Sequence, residues 1–356
     1  MYTRDPHRLV AYLIPFPKPY IHMPAGVSVP ERFLIYTPPP PPLTLPSEGE
    51  REERFHKLQR KWQEEVRAAK ISNSKTASWK GVKDKATIGI SKAIDATKNS
   101  NIEFLTRLPE HHRNHSRSRS PNPKVDTYVN DGVQEDDMTH KTVGLQEIVL
   151  VHPASMQGTE AQIRLEFINS MLRTKSKAQR DGIIATGLIP VAAAIDLLAT
   201  VVWPFGGLLE IDSVWAYTSF RGAKTARSVT RRLTSSSESG DHEKDTLKLT
   251  FTPSRRLGVL ESYLADICHK RDGKLFLSAG VPPTDGQVLD AIGWKAMRSG
   301  ETRNWENEQW EWMEVKEDLR SVMGKGAREW GRWCREFEKD PSKAIKKLGV
   351  GEGKRG

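Results

Sequence analysis

The stretch GIIATGLIPVAAAIDLLATVVWPFGGLL, Gly182 to Leu209, carries one charged residue, Asp196, and is bracketed by Asp181 and Glu210. A bilayer core needs about 20 mostly apolar residues in a helix. The run from Ile183 to Trp203 supplies that length before Pro204 and the pair Gly206-Gly207 interrupt it. It reads as a membrane segment. The ten Ile, Leu and Val residues between Ile183 and Val202 favour insertion by about 3 to 6 kcal/mol, and a central Asp opposes it by about 2.5 to 3.5 kcal/mol. The balance, lowered further by the glycines and Pro190, lies close to zero. Such a segment inserts with a partner element, as a hairpin, or only in part. The competing reading is the central buried helix of a soluble domain.

The rest of the chain is polar around that run. Apolar residues make up 37% of the 356, mean hydropathy is −0.58, and there are 26 Gly and 22 Pro. Much of the chain is therefore loop, linker or exposed helix. From Arg51 to Lys124 there are 18 Lys and Arg against 8 Asp and Glu, which accounts for the whole net charge of +10. A basic excess suits nucleic acid or an anionic membrane surface. No zinc-finger spacing, RNP-like motif or helix-turn-helix pattern accompanies it, so anionic lipid is the expected partner and nucleic acid is not. Cys268 and Cys334 stand far apart with no CxxC, which excludes a disulfide framework and a thiolate zinc site and fits a reducing compartment.

Proline-bounded runs rich in β-branched and aromatic residues, Leu9 to Ile14 and Arg32 to Thr37, predict strands in an extended N-terminal segment, residues 1–47, that closes with the polyproline Pro38 to Pro42. Residues 48–108 form basic amphipathic helices. Phe55, Leu58, Trp62 and Val66 mark one apolar stripe, and Trp79, Val82, Ala86, Ile90 and Ile94 a second beside Lys80, Lys83 and Lys85. Residues 109–146 are an aperiodic linker. Its His111, His112 and His115 have no acidic or Cys partner at ligand spacing, and its SRSRSP run suits phosphorylation.

Order resumes over residues 147–233. IVLVHP reads as a buried strand, and a helix over Ala154 to Arg180 precedes the apolar run. A second helix, Ile211 to Leu233, follows it. Arg173, Lys175, Lys177 and Arg180 on one side and Arg221, Lys224, Arg227, Arg231 and Arg232 on the other are the candidate lipid contacts. With basic clusters on both flanks, the charge permits a hairpin whose ends share one side. After a linker at 234–246 comes a Trp-rich region, 247–340. There LKLTFTP predicts a strand, and helices are expected around Leu257 to Ile267, near Val288 to Met297 and from Glu301 onward. Trp305, Trp310, Trp312, Trp330 and Trp333 read as packing residues rather than a ligand cage. Gly324-Lys325-Gly326 lacks the frame of a phosphate loop, and the basic tail, 341–356, is expected to be mobile. The expected architecture is mainly α: amphipathic helices around one apolar membrane-type helix or helical hairpin, with short strands and long linkers.

No GxSxG, HExxH or GxGxxG motif is present. The chain is thus expected to be neither an enzyme nor a holder of a metal or cofactor. Asp196 is the candidate ion-coupling residue, because an ionisable group at membrane depth is costly and is functional by default.

The order of several of these blocks resembles that of the mitochondrial K+/H+ exchange-related family of the inner membrane. The blocks are LVAYLIPF at Leu9 to Phe16, KWQEEV at Lys61 to Val66, SWKGV at Ser78 to Val82 and FLTRLP at Phe104 to Pro109. IVLVHP at Ile148 to Pro153, the apolar run and WAYTSFRGAKTARS at Trp215 to Ser228 complete the series. The likeness spans about the first two thirds of the chain. It implies an inner-membrane protein that forms or supports potassium/proton exchange, with other exchanger subunits as partners, and it transfers no functional residue. The alternatives are a peripheral scaffold held on anionic lipid by basic helices and a soluble helical interaction protein. If Asp196 carries protons, both Asp196→Asn and Asp196→Leu will abolish potassium-acetate-driven swelling of isolated mitochondria at normal protein level. Retention with Asn and loss with Leu would make it a polar contact between helices, and normal swelling with both would remove it as a site.

Overall fold

In the computed structural model the run LVAYLI forms the core of a central strand, β1 (Arg8–Pro15). The structure describes residues 5, 7–23, 26–40, 54–72, 100–108, 145–156, 158–174, 222–233, 247–278, 280–295 and 305–348, with isolated positions between 81 and 92. β1 pairs antiparallel with β2 (Phe33–Tyr36), setting Tyr12 opposite Tyr36, and parallel with β3 (Glu147–Pro153), setting Val10 beside Val149. The last strand, β4 (Lys248–Ser254), runs parallel to β3, so the sheet order is β2-β1-β3-β4. Each expected strand is present, and stretches from four separate parts of the chain meet in one sheet.

Strands covered on both faces read as continuous apolar runs rather than as alternating ones, and β1 and β3 do. Val10, Tyr12, Ile14, Leu34, Tyr36, Val149 and Val151 belong to one core. Ala11, Leu13, Phe33, Ile35, Ile148 and Leu150 belong to the other. Helices cover both. After α1 (Arg54–Ile71) in the chain, the second face is covered by α2 (Ser100–Thr106) and two helices at 160–174 and 222–233, here α3 and α4, which supply Phe104, Ile163, Phe167, Met171, Ala226, Val229 and Leu233. The first face is packed by α5 (Gly258–Arg271), α6 (Asp285–Ile292), α7 (Trp305–Lys339) and α8 (Pro341–Leu348). α1 (Arg54–Ile71) docks on α7, where Lys70 pairs with Glu317 at 2.6 Å and Arg67 lies over Trp310.

The described residues are thus mostly helical, as expected, but their helices are arranged about a mixed sheet and not about an apolar helix. No helix among the described residues is long and apolar enough to cross a membrane. The run 182–209 lies outside the described residues, as do the linker 109–144 and most of the second amphipathic helix. The expected mobile tail is corrected in part: Pro341–Leu348 is helical, and Ala344 is buried against the first-face core. α6 starts at Asp285 because Thr284 and Gln287 close a capping box, and it ends before Gly293, whose φ of 72° lies in the left-handed region. Both termini fall earlier than apolar spacing suggests.

α7 is the long brace, 35 residues or about 50 Å of helix. Leu319, Val322, Met323, Ala327, Trp330, Cys334 and Phe337 form its buried stripe. Asp285 at the start of α6 ties this brace to α5, accepting from the Tyr263 hydroxyl at 2.6 Å and pairing with Arg320 at 2.6 Å. Burial would raise the Asp285 pKa, yet the bonds from Tyr263 and Arg320 outweigh that and hold it below the ordinary value.

The two glycines of Gly324-Lys325-Gly326 sit in the helix interior with opposite surroundings. A Cβ on Gly326 would lie 2.9 Å from Cδ1 of Leu34, which is itself buried at 1% exposure, whereas one on Gly324 meets nothing within 4 Å. Gly324→Ala is therefore expected to stabilise the fold by up to about 1 kcal/mol through helix propensity. Gly326→Ala will lose that gain to overpacking, which costs roughly 1 to 3 kcal/mol. Opposite shifts in the thermal midpoint, followed by tryptophan fluorescence, check the pair.

Candidate functional site: a crevice at the carboxyl ends of the parallel strands

In open sheets with parallel strands, ligands sit in the crevice beyond the carboxyl ends of those strands. Here β1 stops at Pro15, and Pro17 prevents its continuation, while β3 stops at Pro153. The chain beyond these stops diverges and leaves a crevice of about 610 Å³. Its walls are Pro15 to Lys18 after β1, Val29 to Phe33 leading into β2, and Ser155 and Met156 after β3. Gln162, Ile163 and Glu166 of α3 close it from one layer, and Glu261, Ser262 and Ala265 of α5 with Trp330 of α7 close it from the other. The volume falls within the range of small-molecule sites.

Arg32 stands over the aromatic wall of this crevice. Phe16, Trp330, Trp333 and Phe337 form a continuous stack with ring centroids 5.1, 5.1 and 4.8 Å apart. The Arg32 guanidinium carbon lies 5.7 Å from the Trp330 ring and 5.6 Å from that of Trp333. Trp330 is fixed in turn by its Nε1, which donates to the Pro17 carbonyl at 3.0 Å. Burial, and next the charge of Arg173, lower the Arg32 pKa to about 10, with Glu166 and Glu329 opposing them.

Three of the acids around the crevice already have partners, while Glu31 is exposed at its rim. Glu166 is paired with Arg173, Glu261 accepts from the Ser155 hydroxyl at 2.6 Å, and Glu329 accepts from the Ser100 hydroxyl at 2.9 Å. Nothing in the sequence singled out Arg32. Its setting arises only when residues 16 and 330 meet.

Of the sequence-based candidates, Arg173 is at the end of α3 with its side chain 15% exposed, held by Glu166 and near the Leu348 carbonyl. Lys224, Arg227 and Arg231 are exposed along α4, and Arg232 beside them is partly buried. Asp196, Lys175, Lys177, Arg180 and Arg221 lie outside the described residues. The tryptophans expected to be packing residues divide: Trp310, Trp330 and Trp333 are buried, and Trp312 is 39% exposed with Lys316 over its ring. Trp330 both packs and lines the crevice.

Comparison with protein-family models, with curated proteins and with solved structures finds no match to this chain.

Cys334 lies beside Arg32, and Cys268 is close to it in the same core. Burial pushes both thiols up to about 12, so neither ionises at neutral pH or meets solvent. Ellman's reagent at pH 8 is therefore expected to find neither thiol in the native protein and both after unfolding. Rapid labelling of either in the native state would contradict this burial.

Proposed function

We propose that this chain serves potassium/proton exchange across the mitochondrial inner membrane, forming or supporting the exchanger without covalent chemistry of its own. Its folded domain rests on one side of the membrane. The observation that carries this reading is the position of the apolar run within the fold. It falls in the crossover from β3 to β4, after α3 and before α4, and both helices pack on the same face of the same sheet. An insert tied at both ends to one layer must return to the side it left. That geometry suits a hairpin, an arrangement that basic residues on both flanks permit. Exposed Lys224, Arg227 and Arg231 on α4 are then placed to meet anionic head groups, and Asp196 is the residue placed at membrane depth.

A second reading draws on the same exposed stripe of α4: a peripheral scaffold held on anionic lipid by charge alone. Fractionation of the full chain, tagged at either end, separates the two. The exchange reading expects carbonate-resistant membrane association, release on deleting 183–202, and identical protease protection of both tags, because β1 and α8 belong to one domain. Extraction by carbonate would favour the scaffold. Recovery in the soluble fraction at ordinary salt would sink both in favour of a soluble interaction protein.

A further inference from the structure

Two buried donors beside the crevice have no partner among the described residues. Arg32 forms no hydrogen bond or ion pair through its guanidinium among the described residues, and its Nε is buried without a partner. Trp333, whose ring carries that guanidinium, has a buried Nε1 that is also unpartnered. Buried polar groups in native proteins are nearly always satisfied by protein or water, and an orphan asks for an explanation. A half-buried guanidinium that bonds no acceptor adds to that demand. None of the nearby acids bonds the guanidinium: Glu166 is paired with Arg173, Glu261 and Glu329 accept from Ser155 and Ser100, and Glu31 is exposed. What the guanidinium lacks is a bonded acceptor, and the crevice has room for a molecule that brings one. Phe16, Val29, Phe33, Met156 and Ile163 make most of the remaining wall apolar.

We propose that the crevice binds a small amphipathic oxyanion, a carboxylate or phosphate head on a short apolar body. The head is held by Arg32 and the body lies against the apolar wall next to Trp330. A guanidinium suits this role because its planar fork offers parallel donors to two oxygens of one head group, and the indoles beneath Arg32 keep it in place when the crevice is empty. The proposal does not rest on membrane insertion or on potassium/proton exchange, and either can fail without the other.

Calorimetric titration of the full chain with hexyl phosphate, hexanoate, inorganic phosphate and hexanol tests it. Saturable binding is expected for hexyl phosphate and hexanoate, at least tenfold tighter than for inorganic phosphate, with none for hexanol. Arg32→Gln should weaken binding at least tenfold, and Arg32→Lys should fall between, retaining charge but losing the fork. Hexanol binding as tight as hexyl phosphate, or equal binding by Arg32→Gln, would overturn the oxyanion assignment. Equal affinity for inorganic and hexyl phosphate would overturn the apolar half. Absence of saturable binding to the wild-type chain would overturn the whole, whatever the variants do.

Discussion

Three buried charges and the half-buried Asp318 close the β2 edge of the sheet and fix α7 against it. Lys325 on α7 reaches Glu103 on α2 at 2.8 Å, and Arg107 just beyond α2 pairs with the same Glu103 at 3.2 Å and with Asp318 of α7. Arg107 also donates to the Thr37 carbonyl at the end of β2, and the Tyr36 hydroxyl donates to Asp318 at 3.3 Å. The side chains of Glu103, Arg107 and Lys325 are only 6–7% exposed. Two cations and two anions make the group neutral, which is the condition under which buried charge is tolerable, and removing one member of such a set typically costs about 3 to 5 kcal/mol. Burial alone would lower the Arg107 pKa, but Asp318 and Glu103 overcome it and hold the guanidinium charged.

The position of this network matters as much as its strength. An exposed sheet edge invites pairing with another chain, and short or covered edges avoid it. β2 has four residues, all buried, with α2 and α7 alongside. Because α7 is held there, its distal half reaches the other end of the sheet and brings Trp330 to the crevice, with Trp333 stacked on it. One constraint at residues 318–325 thus seals an edge and places the aromatic wall of the candidate site. The close approach of Gly326 to Leu34 is the local signature of that docking.

Much of the secondary structure was legible from local pattern. Leu9 to Ile14, Ile148 to Val151 and Leu249 to Thr252 are strands because continuous apolar or β-branched runs between polar and proline punctuation have few other uses. A helix from Glu301 onward was legible, as was the reading of Trp310, Trp330 and Trp333 as packing residues, whereas its buried stripe was not. Gly324-Lys325-Gly326 could be rejected as a phosphate loop from sequence alone. Nothing local told that Lys325 is buried, because that follows from Glu103, more than 200 residues away in sequence. The sheet order and the crevice were equally hidden. Strand pairing is a relation between distant segments, and the charged residues that decide such contacts look the same in sequence whether they face solvent or a partner.

Local chemistry by itself determined where strands and helices form, that the described part is mainly helical, that no linear catalytic or metal motif is present, and that one apolar run stands apart from a polar, basic chain. Tertiary structure decided that those helices gather about a four-stranded mixed sheet, that α3 and α4 share one face of it, and that Arg32 lies over two indoles with its Nε unpaired. The reason is range. Backbone propensity, capping and apolar periodicity act over a few residues and are written in consecutive letters. Burial and charge compensation act through space, between residues whose separation in the chain carries no information about their separation in the fold.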